Sequence, residues 1–253
     1  MLQLNKIYNT DCLEGMKQID SSSIDLILCD LPYGVTQNKK DKSINLEKLW
    51  IQYKRIIKPN GSIILHAQFP FTLDLILSNR PWFRYDLIWD KCISSGFLNA
   101  NVMPLRIHEH ILVFYKTHGT YNPQFTKGQP LHSRGHSYKT KELKNQNYGA
   151  FNPSDDKRAG STKKYPTSII KIHKPHPSQS IHRTQKPIAL AEYLIKTYSN
   201  KNDLVLDNCM GSGTTAIACK YTNRNYIGFE LDKEYYDLAV SRLQSVTTLS
   251  SWL

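Results

Sequence analysis

The sequence contains no Cys-x-x-Cys pair, no His-Glu-x-x-His and no cysteine that follows a proline. Its five cysteines, Cys12, Cys29, Cys92, Cys209 and Cys219, are odd in number and far apart, which excludes a disulfide framework and a zinc ribbon. They are expected to be buried free thiols. No apolar run approaches the roughly 20 residues that a membrane helix needs. Met1 to Lys6 also lacks the charged region and following apolar stretch of a secretory signal, so a cytoplasmic protein without a membrane partner is expected.

Acidic residues are scarce, 21 Asp and Glu against 33 Lys and Arg, which gives a net charge of +12. Thr117 to Lys186 holds 13 basic and 3 acidic residues, or +10, so the rest of the chain, with 20 and 18, carries only +2. The basic character is local and points to a polyanion partner. With 40% hydrophobic and 21% charged residues the 253-residue chain can bury a core, and its length fits one α/β domain with an insertion.

Short apolar runs alternate with helical patterns on both sides of the basic segment. Strands are predicted at 24–29, 62–66, 85–89, 111–115, 204–207 and 226–230, and helices at 46–57, 71–78, 187–199, from 214, and at 233–243. Lys58-Pro59-Asn60-Gly61 reads as a turn. Such a texture implies a doubly wound, mostly parallel sheet. The domain reading is 1–116 and 183–253 as two halves of one α/β domain, with 117–182 an irregular surface insertion.

Two motifs carry chemistry. In Leu204-Val205-Leu206-Asp207-Asn208-Cys209-Met210-Gly211-Ser212-Gly213-Thr214, a strand leads through a glycine turn into a helix. Gly211 and Gly213 permit a sharp turn and close approach of a nucleotide-like ligand to backbone N–H groups, and Glu230, at the end of the next strand, suits a ribose diol. By itself this also describes a nicotinamide-dependent oxidoreductase. The second motif, Cys29-Asp30-Leu31-Pro32-Tyr33-Gly34, follows an apolar strand at the carboxyl edge of the sheet. An aromatic amine is a poor nucleophile because its lone pair is delocalised into the ring. The Asp30 carboxylate and the Leu31 carbonyl can accept its two N–H groups and localise that pair, Pro32 stiffens the turn, and Tyr33 offers a face for an unstacked base.

These residues resemble the amino-group DNA methyltransferases, which carry [Asp/Asn/Ser]-Pro-Pro-[Tyr/Phe] and a Gly-x-Gly turn for S-adenosylmethionine. The order of catalytic motif, basic segment and cofactor motif resembles the circularly permuted β class, over nearly the whole chain. Tyr8-Asn9-Thr10-Asp11-Cys12, Ile88-Trp89-Asp90-Lys91 and His182-Arg183-Thr184-Gln185-Lys186-Pro187 are similar to further family motifs. The resemblance implies a methyltransferase fold of Rossmann-like type and catalytic roles for Asp30, Leu31, Pro32 and Tyr33. It implies a cofactor site of Asp11, Cys12, Asp30, Lys186, Asp207, Met210, Gly211, Ser212, Gly213, Thr214 and Glu230, with Lys186 toward the cofactor carboxylate. Two positions depart from the family: Leu31 replaces a proline, and Asp207-Asn208-Cys209 stands where Asp-Pro-Phe is usual.

Aspartate at position 30 resembles the N6-adenine enzymes, whereas serine is more typical of N4-cytosine enzymes. Cytosine C5 methylation is excluded, because it needs a cysteine nucleophile after a proline. The expectation is site-specific N6-adenine methylation of double-stranded DNA by base flipping and direct in-line transfer. N4-cytosine methylation, an oxidoreductase and a silent DNA-binding module stand as alternatives. The basic segment, interleaved with aromatics including Tyr121, Phe125 and Tyr165, is the expected recognition region, with Lys127, Arg134, Lys139, Lys141, Lys144, Lys163 and Lys164 as DNA contacts. His132, His136, His173, His176 and His182 lack ligand spacing, so no metal is expected. The lysine-bearing loop from Val35 to Ser43 is expected to close over DNA or cofactor, and a homodimer and a cognate restriction endonuclease are possible partners.

Overall fold

The structure is a computed structural model that describes residues 2–34, 43–130, 143–145, 149–151, 160–174 and 185–250, with backbone only at 143–145, 149–151 and 247–250. The chain divides into two compact units, 1–122 with 167–253, and 123–166.

In the larger unit the strands are β1 (Lys6–Asn9), β2 (Ile24–Cys29), β3 (Ile57–Ala67), β4 (Phe83–Ser95), β5 (Arg106–Phe114), β10 (Ile169–Lys171), β11 (Leu204–Asp207) and β12 (Asn225–Glu230). They form one sheet in the order β1-β12-β11-β2-β3-β5-β4-β10, parallel except where β5 pairs with β3 and β4. The helices are α1 (Cys12–Lys17), α2 (Leu46–Ile56), α3 (Phe71–Ser78), α4 (Ile188–Tyr198), α5 (Thr214–Tyr221) and α6 (Lys233–Ser250). β10 lies inside the span 117–182 read as an insertion, yet it adds to the main sheet beside β4.

Alternation along the strands sends side chains into two apolar layers. Ile63, Leu65, Leu112 and Phe114 meet Leu49, Trp50 and Tyr53 of α2 and Leu75 of α3 on one face. Ile64, Ile111, Val113 and Val205 meet Leu190 and Leu194 of α4 and Ala216 of α5 on the other. Burial on both faces is why β2 is apolar at every position but one. Its one charged residue, Asp25, is held by Lys58 Nζ at 2.6 Å and by the Leu204 N–H at 2.9 Å.

The turn read at 58–61 is instead a bulge within β3. Pairing with β2 jumps from Ile24↔Ile57 to Leu26↔Ser62, so four residues loop out without ending the strand. Gly61 is required there: a Cβ would lie 2.7 Å from the Ile57 side chain and 2.9 Å from the Asp25 carbonyl oxygen.

β2 leads through α2 to β3 on one side, whereas β11 leads through α5 to β12 on the other. The carboxyl ends of β2 and β11 therefore flank a topological switch point, where sheets of this kind leave a ligand crevice. The smaller unit contains two antiparallel ribbons, β6 (Thr126–Lys127) with β9 (Lys163–Lys164) and β7 (Leu143–Asn145) with β8 (Gly149–Phe151).

Candidate active site

A cavity of about 970 Å³ opens over the switch point. Its lining joins the end of β2 (Cys29 to Tyr33), the start of α1 (Asp11, Cys12), the turn after β11 (Asp207 to Ser212, then Thr214) and Glu230 at the end of β12. The two motifs, some 180 residues apart in the chain, thus face one pocket.

On the cofactor-motif side, Gly211 and Gly213 hold φ values of 53° and 83°, where side-chain-bearing residues are strained. Gly213 does not line the cavity; it starts α5, and a Cβ there would meet the Ala239 Cβ at 3.1 Å. Glu230 Oε2 accepts the Gly211 N–H at 2.7 Å and Oε1 the Asp232 N–H at 2.9 Å, so this carboxylate ties the turn to β12. Burial pushes its carboxyl up. Met210, Ser212 and Thr214 are buried in the same lining.

Asp207 is 4% exposed and turned inward, its Oδ1 accepting the Cys209 N–H at 3.1 Å. Burial pushes its carboxyl up to about 7. Asp11 caps α1, Oδ1 accepting the Leu13 and Glu14 N–H groups at 2.8 and 3.2 Å. The departure at Asn208 has a partner: its buried Oδ1 accepts the Tyr53 hydroxyl of α2. Cys12, Cys29 and Cys209 gather beneath the turn, and burial pushes the Cys29 thiol up to about 12. Cys92, expected to be buried, is exposed.

On the other side Asp30 is held at both oxygens. Oδ1 accepts the Tyr33 hydroxyl at 2.8 Å, and Oδ2 lies 2.8 Å from Lys186 Nζ. Burial pushes the Asp30 carboxyl up, but the adjacent Lys186 ammonium more than offsets this and holds it below the usual range. Lys186, expected to face a cofactor carboxylate, directs its ammonium to Asp30 and, at 3.0 Å, to Glu109 Oε2. The Tyr33 ring also packs on Phe71, centroids 5.2 Å apart. The Leu31 side chain is buried, which fixes the backbone carrying its carbonyl.

Glu109, Lys91 and His66 line the cavity without a site role expected from the sequence, although Lys91 falls within a family-like motif. Glu109 of β5 and Lys91 of β4 are 6% and 3% exposed and pair at 3.6 Å; both lie in strand segments that carry other charged or histidine residues, so the local sequence did not single them out. His66, 4% exposed at the end of β3, has no hydrogen-bond partner for Nδ1 among the described residues. Burial and the nearby Lys186 ammonium lower it to about 4, so it is neutral.

Of the expected DNA contacts, Lys127 and Lys163 stand directly opposite one another in the β6–β9 ribbon, with Lys164 beside them opposite Thr126. The Phe125 and Tyr165 rings pack together at 4.8 Å. Lys144 lies in β7, while Arg134, Lys139 and Lys141, the loop 35–42 and four of the five singled-out histidines fall outside the described residues.

Residues 24–241 match the family model of the N6/N4 DNA methylases. The chain belongs to that family. It is 30% identical over 275 residues to the Type II methyltransferase M.HinfI of Haemophilus influenzae, covering 96% of this chain and 69% of that one. It is 30% identical over 254 residues to the Type II methyltransferase M1.MboII of Moraxella bovis, covering 94% and 96%. Among solved structures it resembles the M1.HpyAVI–SAM complex with a TM-score of 0.62 and 26% identity, over 94% of this chain and 98% of that one. The protein is a DNA methyltransferase acting on an exocyclic amino group, and the expected α/β fold is the family's. No helix among the described residues is long and apolar enough to cross a membrane.

Proposed function

We propose that this DNA methyltransferase transfers a methyl group from S-adenosylmethionine to the N6 amino group of adenine, at a specific site in double-stranded DNA. The observation that carries the reading is the shared pocket: Asp30, with its carboxylate kept ionised, faces the same cavity as the glycine turn and Glu230. Aspartate rather than serine at position 30 supports adenine over cytosine N4.

The residues present fit the cofactor. The turn and Glu230 border a cavity near the upper end of the 300–1,000 Å³ common for ligand pockets, room for a nucleoside cofactor and a flipped base together. Gly211, Ser212 and Thr214 would surround the methionine portion, and Glu230 would take the ribose hydroxyls. When bound, S-adenosylmethionine supplies a methyl group activated by its sulfonium centre.

Asp30 and the Leu31 carbonyl accept the two N–H bonds of the flipped base and draw its nitrogen toward tetrahedral geometry. Asp30 would accept the proton that the nitrogen gives up on taking the methyl group from S-adenosylmethionine held by the glycine turn and Glu230. The enzyme forms no covalent intermediate, so alignment and fixed charge do the catalytic work. In the smaller unit, two like charges directly opposite in a ribbon are unfavourable unless an anion lies between them, which supports Lys127 and Lys163 as a phosphate contact. The Type II names of the relatives support a cognate restriction endonuclease as the partner activity.

The test is to incubate the protein with labelled S-adenosylmethionine and unmethylated genomic DNA, digest to nucleosides, and identify the labelled one by mass spectrometry. N6-methyldeoxyadenosine is the expected product. N4-methyldeoxycytidine would overturn the base assignment and keep the mechanism, and unlabelled DNA would overturn both.

A further inference from the structure

The charges behind Asp30 form a chain through Lys186 to Glu109 of β5 and Lys91 of β4. Lys186 Nζ lies 2.8 Å from Asp30 Oδ2 and 3.0 Å from Glu109 Oε2, and Lys91 Nζ backs Glu109 Oε1 at 3.6 Å. The Lys186 ammonium also sits 6.0 Å from the centroid of the buried Trp89 ring. The side chains of Glu109 and Lys91 are 8% and 4% exposed, so the rear of the chain is fixed, whereas those of Lys186 and Asp30 are 15% and 32% exposed and line the cavity. The pocket therefore presents an acceptor and a donor side by side.

That pair has a polarity that only some base edges match. On its Watson–Crick edge adenine carries an amino donor next to the unprotonated N1, and cytosine an amino donor next to the unprotonated N3. Guanine O6 and N1–H, and thymine O4 and N3–H, show the reverse order. We infer that Lys186 is a specificity residue that donates to the ring nitrogen beside the target amino group while Asp30 receives that amino group.

An ammonium has three N–H donors and no acceptor, and an ionised carboxylate has several lone-pair sites and no donor. The pair cannot invert to accept a keto edge, which would set a carbonyl oxygen against Asp30 and an N–H against Lys186. Glu109 retains the ammonium at the pocket wall while the base engages Asp30. The inference rests on the reading of Asp30 as the amino-group acceptor. It explains selection of the adenine N6/N1 and cytosine N4/N3 edges over the guanine O6/N1–H and thymine O4/N3–H edges, and leaves adenine and cytosine to be separated by other contacts.

The experiment uses duplexes containing the mapped methylation site, with the target base either natural or with its ring nitrogen replaced by C–H (1-deazaadenine, or 3-deazacytosine if cytosine is the product). Single-turnover rates are measured for the wild type, Lys186→Met and Lys186→Arg. In the wild type the deaza base should slow transfer about 10- to 100-fold, the range for losing a charge-assisted hydrogen bond. In Lys186→Met the natural base should slow comparably and the natural-to-deaza ratio should collapse toward one. Lys186→Arg, which keeps the donor, should preserve much of the ratio. Comparing ratios removes the intrinsic reactivity of the altered base.

A Lys186→Met enzyme with the wild-type ratio overturns the inference. So does a wild type that methylates both targets equally fast, whether or not the methionine variant folds. If instead Asp30→Ala methylates at the wild-type rate, the reading of Asp30 itself falls, and the two failures are thereby distinguished.

Discussion

Glu230 Oε2 accepts the Gly211 N–H at 2.7 Å, so the carboxylate best placed for a ribose also closes the glycine turn onto β12. Its other oxygen accepts the Asp232 N–H at 2.9 Å. The turn is thereby organised before any ligand arrives, which lowers the ordering cost of binding.

Glu230→Gln keeps the shape but leaves a single acceptor oxygen for two backbone donors. S-adenosylmethionine affinity should fall about 10- to 100-fold, with a smaller loss in melting temperature. Isothermal titration against the wild type checks this, and unchanged affinity would remove Glu230 from the cofactor site.

Asp30→Ala should abolish methyl transfer and leave cofactor binding largely intact, because Asp30 faces the base while the turn and Glu230 hold the cofactor. Filter-bound radiolabel gives the first quantity and a thermal-shift titration the second.

Tyr53→Phe removes the hydroxyl that satisfies the buried Asn208 Oδ1. An unpaired buried acceptor costs about 1–3 kcal/mol, so the melting temperature should drop by several degrees. Tyr53→Phe combined with Asn208→Ala should recover part of that loss, which differential scanning calorimetry would show.

His66 sets a pH dependence. Its folded value of about 4 lies below its ordinary 6.5, so between these pH values the unfolded chain binds more protons than the folded one. Stability is therefore lost as pH falls through that window, by up to about 3 kcal/mol from this group. Melting curves from pH 7 to 4 should fall less steeply for His66→Gln than for the wild type; parallel curves would contradict the neutral buried imidazole.

Lys127 and Lys163 face each other in the β6–β9 ribbon. Replacing both with Gln should weaken DNA binding across sequences and reduce the slope of log affinity against log salt by about two. Fluorescence anisotropy at several salt concentrations measures both, and an unchanged slope would exclude this pair from the footprint.

Features encoded within a few consecutive residues were legible in the sequence. The apolar run of β2, the strand-turn-helix around Gly211 and Gly213, and the Asp30 motif at a strand end depend on periodicity and backbone freedom, and the structure has them there. Proline at 59 made the 58–61 segment look like a strand boundary. Pairing with β2 on both sides carries β3 through it as a bulge.

The resemblance grouped Asp30, Lys186, the glycine turn and Glu230, whereas tertiary structure decided that His66 and Glu109 join them in the pocket. Asp30, His66, Glu109 and Lys186 belong to separate elements, and only the order β2-β3-β5, with α4 packed on one face, brings them together. That order is set by which faces of the helices bury against which strands, a long-range choice that no local window carries. The amino acids at 30 and 211–213 are local motifs legible in the sequence, whereas the placement of Lys186 between two carboxylates is decided by the folded sheet.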